Sequence, residues 1–308
     1  MSPLRSIGLK ILSVASFMVM ATLVKICAAA GVPGGELVFF RSAFAIPVIF
    51  VWLALRHDLA HGLETKNPFG HVWRGLVGAA GMACGFTALG LLPLPEVTAI
   101  SYATPILIVI FAAMFLGETV RVYRLSAVLV GMLGVAIVLS PKLSVDALSQ
   151  AGNAEALGAV IALMGATFAA LAQVFIRRLT ETETTPAIVF YFSLSTTILA
   201  LFTIPFGWVM PAPLILLAMV ASGVFGGLGQ IFLTSAYRGA QASLIAPFEY
   251  VSMLMALGIG YAVFQEVPTH QTLVGAAIIM AAGLFIIWRE RQLGLVRGKA
   301  RPAMTPQG

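Results

Sequence analysis

The sequence predicts an all-α membrane protein in which ten transmembrane helices form two inverted five-helix repeats, with both termini in the cytoplasm. Three observations predict this fold: the composition, a series of long apolar segments, and an internal repeat. Of the 308 residues, 60% are hydrophobic and 10% are charged, whereas a soluble domain carries about a quarter charged residues. Membrane lipid is therefore the predicted surrounding of most of the chain.

Ten apolar segments have the length of a helix that crosses a bilayer, which is about 20 mostly apolar residues. They cover residues 7–28, 36–55, 73–92, 96–116, 122–140, 156–176, 185–206, 213–236, 240–264 and 270–288. Only helices and closed barrels satisfy their backbone groups in lipid. The segments are too long and too continuous for barrel strands, which alternate over about 10 residues. A bundle of α-helices follows.

The first segment also resembles a secretory signal, because Arg5 and Lys10 precede an apolar run that ends near Ala28. Two features favour a retained span instead. The apolar run is longer than the core of a typical signal peptide, and residues 8–24 have a counterpart in residues 158–174 of the second half.

The second half of the chain repeats the first. Residues 95–102 (PEVTAISY) match residues 240–247 (AQASLIAP), and the Phe-Leu-Gly-Glu of residues 115–118 matches Phe264-Gln265-Glu266. Five spans separate the matching positions, so the two copies face opposite ways across the bilayer. Inverted repeats of this kind are typical of secondary transporters. The predicted units are residues 1–148, residues 149–288 and a basic cytoplasmic tail at residues 289–308.

The distribution of positive charge predicts the orientation. With the N-terminus in the cytoplasm, 15 of the 18 Lys and Arg residues lie on the cytoplasmic side. Lys25 and Lys142 lie on the far side, and Arg41 remains inside a span. Such an asymmetry orients membrane proteins. The basic residues are few and stand mostly in short connectors, so nucleic-acid binding is not predicted.

Proline and tyrosine occupy matching places in the fourth and ninth spans. In the fourth span, four residues at i, i+3, i+4 and i+7 share one helix face: Thr98, Ser101, Tyr102 and Pro105. Their copies are Ser243, Ala246, Pro247 and Tyr250. Proline interruptions at corresponding positions of two halves point to the central site of a transporter. The alternative is a packing kink with tyrosines near the membrane surface.

Further polar residues inside spans are candidates for the same site. Gln230, Thr234 and Tyr237 form a stripe in the eighth span that either lines a cavity or bonds to neighbouring helices. Gln173 and Tyr191 are single polar positions in the sixth and seventh spans.

Two charged side chains within spans carry separate hypotheses. Glu249 lies about 13 Å into the ninth span by helical rise, where a carboxylate is costly unless it is paired or protonated. It is predicted to carry a proton or a cationic group, or else to form a structural hydrogen bond. Arg41 pairs with an acid or with a solute carboxylate, or extends to the membrane surface.

Glycines cluster in the third and eighth spans, which predicts close approach between helices. They are Gly75, Gly78, Gly81 and Gly85, then Gly223, Gly226, Gly227 and Gly229. Patterns of metalloproteases, serine hydrolases and ATP-binding loops are missing from the sequence, so neither an enzyme nor a metal site is predicted. Cys27 and Cys84 form no disulfide or redox motif.

The chain resembles the EamA-type family of the drug/metabolite transporter superfamily over about residues 7–288. The resemblance rests on the two fivefold repeats, the turn at residues 115–118, and the Ala-Pro-Phe-Glu-Tyr of residues 246–250. Gln265 departs from the family, which usually has glycine before Glu266. The resemblance implies a basket of ten helices around a central cavity that opens to one side at a time. Spans 1–4 and 6–9 would form the cavity, with spans 5 and 10 supporting it.

The resemblance also implies a function. Family members move amino acids, nucleoside-like molecules, flavins and other amphiphilic metabolites, often outward, and some bacterial relatives import riboflavin. The prediction is a bacterial inner-membrane carrier, without cofactor, for a small neutral, zwitterionic or amphiphilic metabolite. It would work by alternating access as a monomer or homodimer, with export favoured. A riboflavin-type importer, a passive channel and a non-transporting scaffold are the alternatives.

Overall fold

The computed structural model describes residues 3–57, 62–116, 122–140, 154–179, 182–239, 248 and 251–292. Within these ranges all regular structure is helical and no strand occurs, which confirms the predicted all-α class. The helices are α1 (Pro3–Ala29), α2 (Gly34–Ala43), α3 (Ala45–Leu55), α4 (Pro68–Leu91), α5 (Leu94–Ser101), α6 (Ala103–Leu116), α7 (Val122–Leu139), α8 (Ala154–Leu179), α9 (Thr185–Leu201), α10 (Pro213–Gly239), α11 (Val251–Phe264) and α12 (His270–Gln292), with a 3-10 turn at Ile204–Phe206.

Five stretches of the described residues are long and apolar enough to cross a membrane. They are Leu4–Ala29, Gly34–Leu55, Pro68–Leu91, Ala154–Ile176 and Pro213–Ala236. Shorter apolar helices occupy the other predicted spans, within Leu94–Ile108, Ser126–Leu139, Thr185–Leu201, Val251–Phe264 and His270–Phe285. The chain is therefore a multi-pass helical membrane protein. The count of ten spans and the sidedness of the termini stay predictions.

Two predicted spans are interrupted three residues before a proline. The second span breaks at Phe44, ahead of Pro47, and the fourth breaks at Tyr102, ahead of Pro105. Proline has no N–H to donate to the carbonyl four residues earlier, so the helical hydrogen-bond ladder stops there. The sequence pattern singled out Pro105 but gave Pro47 no role.

Two helices that start at the same end of the bundle have side-chain caps. The Asn67 Oδ1 accepts from the Gly70 N–H at 2.9 Å at the start of α4. The Thr184 Oγ1 accepts from the Ala187 N–H at 3.3 Å at the start of α9, and its hydroxyl donates to the Gly62 carbonyl at 2.9 Å. Each cap satisfies an N–H that a helix start leaves unpaired.

The most extensive helix packing joins the first half of the chain to the second. Helix α1 packs along α10, α4 along α8, and α7 along α12. Helix α9 packs on α2 and α4, while α10 packs on α2 and α3. In the predicted repeat, α1 corresponds to α8 and α4 corresponds to α10. The contact of α1 with α10 is therefore the counterpart of the contact of α8 with α4. The buried hydrophobic core is shared between the halves.

Glycines let these helices approach backbone to backbone. A Cβ on Gly165 in α8 would lie 3.3 Å from the Gly85 nitrogen and 3.5 Å from the Gly81 carbonyl in α4. Between α7 and α12, a Cβ on Gly275 would lie 2.6 Å from the Gly134 carbonyl oxygen. Small residues at such crossings are the usual basis of helix association in membranes.

The turn between α11 and α12 holds Gln265 at a φ of 56°, in the left-handed region. Glycine adopts this conformation without strain, whereas other residues there cost of the order of 1 kcal/mol or more. We expect Gln265→Gly to raise the free energy of unfolding by about 1 kcal/mol. Thermal unfolding of the purified protein in detergent would measure the change. Gln265→Ala is the control: it keeps a Cβ, so a gain equal to that of glycine would contradict backbone strain as the cause.

Candidate functional site

Two arginines from different helices converge on one aromatic ring near the middle of the bundle. The guanidinium carbon of Arg74, in α4, lies 3.8 Å from the centroid of the Phe192 ring in α9. That of Arg41, in α2, lies 5.5 Å from the same centroid. Both distances allow attraction between a cation and the face of an aromatic ring. We call Arg41, Arg74 and Phe192 the arginine cluster.

Both arginines are buried and incompletely bonded. Arg41 is 2% exposed and Arg74 is 5% exposed. The Nε and Nη1 atoms of each have no hydrogen-bond partner, and no carboxylate among the described residues forms an ion pair with either. Arg41 therefore does not extend to the membrane surface, and no protein acid in the described chain pairs with it.

The arginine cluster occupies space that two glycines leave free, one in α4 and one in α10. A Cβ on Gly78 would meet the Arg74 Nη1 and would lie 2.6 Å from the Phe192 Cε2. A Cβ on Gly226, in α10, would lie 2.9 Å from the Arg41 Nε. These glycines belong to the two clusters that the sequence singled out, and here they make room for guanidinium groups.

The arginine cluster lies within the long apolar helices rather than at their ends. Arg41 stands seven residues after Gly34, the first residue of α2, and Arg74 six residues after Pro68, the first residue of α4. At 1.5 Å per residue these positions are about 10 Å and 9 Å along their helices. The two helices start from opposite ends of the bundle, so the side chains approach Phe192 from different directions. The sequence placed Arg74 on the cytoplasmic side of the membrane, but in the structure it is a buried residue within α4.

The predicted proline–tyrosine face forms a contact between the halves. The Tyr102 hydroxyl, at the break between α5 and α6, lies 2.8 Å from the Ser252 hydroxyl in α11. Ser101 is exposed, and its hydroxyl donates to the Val97 carbonyl of its own helix at 2.8 Å. For Pro105, the structure describes the backbone but not the ring. Pro247, Glu249 and Tyr250 lie outside the described residues.

The other predicted polar positions are Gln230, Thr234 and Tyr237 in α10 and Gln173 in α8. Thr234 donates within its own helix to the Gln230 carbonyl at 2.8 Å, and both residues are half-buried. The Tyr237 side chain lies outside the described part of the chain. Gln173 is exposed in α8. The structure does not bring these residues into the arginine cluster, so their contact with a solute stays a prediction.

Tyr191 belongs to a polar cluster at the end of the bundle where α3 ends and α4 begins, which we call the second end. Its hydroxyl donates to the Leu63 carbonyl at 3.1 Å, and its ring lies 4.7 Å from that of His71. The Glu183 Oε1 accepts from the backbone N–H groups of Lys66 at 2.8 Å and Asn67 at 2.7 Å. The Glu183 Oε2 lies 3.4 Å from the His71 Nε2.

A matching acid lies at the other end, where α1 ends and α2 begins, which we call the first end. The Glu36 Oε2 accepts from the Val209 N–H at 3.0 Å, and Glu36 is 2% exposed. The Glu266 Oε1 pairs with the Lys25 Nζ at 2.9 Å, while its Oε2 accepts from the Leu94 N–H at 2.8 Å. Each of these contacts joins the first half of the chain to the second.

The environment of Glu183 predicts an acid-dependent loss of stability. Burial raises the pKa of this carboxyl, but the hydrogen bonds from the Lys66 and Asn67 N–H groups and the nearby His71 outweigh burial, and the pKa lies below its ordinary value of 4.5. A lowered pKa contributes stability above pH 4.5 that is lost as the pH falls through the folded-state pKa. We expect Glu183→Gln to be less stable than wild type at pH 7, with the gap narrowing below pH 4.5. Thermal unfolding between pH 7 and 3.5 would measure it, and a gap independent of pH would contradict this role.

Two features of the remaining surface bear on the site. No group of three or more His, Cys, Asp and Glu residues in the described ranges is arranged to hold a metal ion. An apolar groove lies open on α7 and α12, lined by Val130, Leu133, Ala136, Ile137, Ser140 and Ile278. It is open, and its helices are not those that carry the arginine cluster. The two buried arginines repel each other and attract an anion in a low dielectric. The arginine cluster is therefore a better candidate site than the groove.

Comparisons with known proteins identify the family. A model of the EamA-like transporter family matches residues 4–140 and again residues 156–288. A model of solute carrier family 35 matches residues 95–206. A solved crystal structure with 21% identity has the same fold, with a TM-score of 0.65 over 92% of this chain and 99% of that one.

Several relatives cover most of the chain. The pseudopaline exporter CntI of Pseudomonas aeruginosa is 34% identical over 89% of this chain and 93% of its own. The S-adenosylmethionine uptake transporter of Rickettsia felis is 29% identical over 82% and 81%, and the riboflavin transporter of Rhizobium johnstonii is 28% identical over 88% and 85%. These matches and the helical fold agree: the chain belongs to the EamA-like transporter family, a family of transporters and not of enzymes.

Proposed function

We propose that this protein is a secondary transporter of the bacterial inner membrane that moves a small neutral, zwitterionic or amphiphilic metabolite. It works by alternating access, with export favoured. The observation that carries the proposal is the arginine cluster, because it places unpaired polar groups between the two halves, about 10 Å along the helices that carry the arginines. Substrate sites of transporters built from repeats lie at such an interface.

The packing supports an inverted arrangement of the halves. At the first end, Glu36 at the start of α2 bonds to Val209, which follows α9. At the second end, Glu183 just before α9 bonds to Lys66 and Asn67, which follow α3. The second and seventh spans therefore run antiparallel, as corresponding spans of inverted repeats must. The two matches of one family model, at residues 4–140 and 156–288, support the same division, with residues 289–308 as a cytoplasmic tail.

The remaining site residues are part of the proposal. Solute contacts are assigned to Ser101, Tyr102, Tyr191, Gln230, Thr234, Tyr237 and Tyr250. Glu249 is assigned the transfer of a proton or the binding of a cationic group. Pro105 and Pro247 are assigned as helix kinks, which would leave polar backbone groups near the centre of the membrane; such groups are tolerated where protein or a cavity covers them.

The names of the relatives support small metabolites as substrates and leave both directions open. One is named as an exporter and one as an uptake transporter. The second candidate function is a vitamin importer, and the relative named as a riboflavin transporter supports a vitamin as its substrate.

Counterflow in proteoliposomes tests the proposal. Vesicles are loaded with an unlabelled solute, and a trace of labelled solute is added outside, with protein-free vesicles as the control. The panel contains neutral and aromatic amino acids, nucleosides, riboflavin and S-adenosylmethionine. We expect transient accumulation of label for at least one solute, and Glu249→Gln should keep this exchange while losing uptake driven by a proton gradient. Equilibration of solutes without transient accumulation would indicate a channel, and no movement of any solute would contradict a carrier for these classes.

A further inference from the structure

We propose that Arg41 and Arg74 bind the carboxylate of the transported solute, with Phe192 as the floor of this subsite. The inference rests on the proposed function and narrows its substrate class to solutes that carry a carboxylate. The observation behind it is that both guanidinium groups are buried and have unpaired donors.

Two charges without a counter-charge are costly in this position. A cation in the membrane interior normally pairs with an acid, faces a water-filled cavity or marks a substrate path. Arginine keeps its charge in proteins, so loss of a proton does not relieve the cost. Neither arginine has an acid partner among the described residues, and both are at most 5% exposed. An anionic ligand would supply the negative charge that balances the two arginines.

The geometry allows one anionic group to contact both arginines. Their guanidinium carbons lie 3.8 Å and 5.5 Å from the centroid of the same ring. The two carbons are therefore at most about 9 Å apart, a separation that one solute can span. The side chains come from α2 and α4 of the first half, whereas Phe192 belongs to α9 of the second. A ligand held here touches both halves, as a solute of an alternating-access carrier must.

A carboxylate fits these groups better than a polyanion does. Each of its two oxygens accepts more than one hydrogen bond, which matches two donors from each arginine. A transported solute must also leave the site, and conduction requires binding that is not too strong. A single negative charge meets that requirement between two buried cations, whereas a doubly charged phosphate would be held more tightly.

Binding is tested on the full-length protein in nanodiscs of zwitterionic lipid, in chloride-free buffer. Phenylacetate and phenylacetamide form a matched pair of probes that differ in the negative charge. We expect phenylacetate to raise the unfolding temperature of the wild type by several degrees and phenylacetamide to leave it unchanged. The shift should disappear in Arg41→Gln and in Arg74→Gln and persist in Arg56→Gln. Arg56 is an exposed arginine that lies over the Trp52 ring at 4.6 Å, which makes it a matched control for loss of a cation beside an aromatic ring.

The outcomes separate the carboxylate from other ligands. No phenylacetate-specific shift in the wild type, or an undiminished shift in both glutamine variants, would overturn the proposal. An equal shift from chloride or inorganic phosphate would assign the cluster to inorganic anions and overturn it as well. Where a glutamine variant fails to fold, Arg41→Lys or Arg74→Lys replaces it, since lysine keeps the charge but not the planar set of donors.

Counterflow separates this inference from the proposed function. Each amino acid of the panel differs by the carboxylate alone from the amine that its decarboxylation gives. We expect wild-type exchange of at least one amino acid and of none of the amines, with amino-acid exchange about tenfold slower in each glutamine variant, as loss of a hydrogen bond to a charged group implies. Exchange that is equally fast in the variants would overturn the arginine assignment and leave the carrier intact. A carboxylate-specific thermal shift without exchange of any solute in the panel would overturn the carrier and the solute assignment, and leave an anion site.

Discussion

Gly275→Ala is expected to destabilise the protein by about 2 kcal/mol or more, as overpacking of a close crossing does. The added Cβ would lie 2.6 Å from the Gly134 carbonyl oxygen and 3.1 Å from the Val138 nitrogen. These are backbone atoms of α7, so rotation of a side chain cannot relieve the overlap. The α7 and α12 helices must separate, which loses contacts along their whole interface. Thermal unfolding in detergent, followed by tryptophan fluorescence, would measure the loss.

Gly258→Ala is the matched control. Gly258 lies within α11, and a Cβ there would meet nothing within 4 Å. The same substitution is therefore expected to be neutral or to stabilise the helix by up to about 1 kcal/mol, since alanine is the better helix former. If both variants unfolded at the wild-type temperature, the close crossing of α7 and α12 would be refuted.

Lys25→Met is expected to cost about 3 kcal/mol, the usual scale for removing one partner of a buried ion pair. The Lys25 and Glu266 side chains are 12% and 18% exposed. The Lys25 Nζ also donates to the Leu89 carbonyl at 3.2 Å and the Leu92 carbonyl at 2.6 Å, at the end of α4. The substitution leaves a carboxylate and two carbonyl oxygens without their cation. Unfolding temperature and yield of monodisperse protein would measure the effect.

A double-mutant cycle isolates the ion pair. Lys25→Met and Glu266→Met together should cost less than the sum of the single changes, by about 1–3 kcal/mol, because the double variant leaves no unpaired charge. Lys66→Met, at an exposed lysine of the second end, should change stability by less than about 0.5 kcal/mol. Additive effects of Lys25→Met and Glu266→Met would contradict direct pairing.

The positions of the apolar helices were predictable because a bilayer demands long, continuous apolar segments. The breaks within them were less so. Pro105 stood in a repeated pattern with Tyr102 and was singled out, whereas Pro47 had no such pattern around it. Both nevertheless follow the last residue of a helix by four residues. The common physical cause is the N–H that proline lacks, and it acts whether or not the proline belongs to the repeat.

Arg41 was recognised as a site residue because it interrupts an apolar run, but Arg74 was not. A cation near the start of a span looks like a membrane-surface residue, and only the tertiary fold shows it buried. The spacing of His71, Arg74, Gly75 and Gly78 at i, i+3, i+4 and i+7 did carry a signal, since these residues share one helix face. Lys10, also counted as a flank, is 1% exposed.

Contacts between an acid and a partner far away in the chain could not be predicted from the sequence. Glu266 stands just before α12, a position from which an acid usually interacts with the N-terminus of the helix that follows. In the structure its carboxylate accepts from the Leu94 N–H at the start of α5, 172 residues earlier, and pairs with Lys25. The carboxylate therefore does contact a helix N-terminus, but it is that of α5 and not that of α12. Nothing in the local sequence distinguishes the two.

The acids Glu36 and Glu183 bond to backbone N–H groups of the opposite half rather than to side chains. Such a contact does not depend on which side chain stands at residue 209, 66 or 67, so these positions can change during evolution while the acid stays in place. Covariation between each acid and its partner positions is therefore not expected. Proline is the exception, because it alone removes the N–H. Val209→Pro would break the contact at one end of the bundle and leave the other end intact.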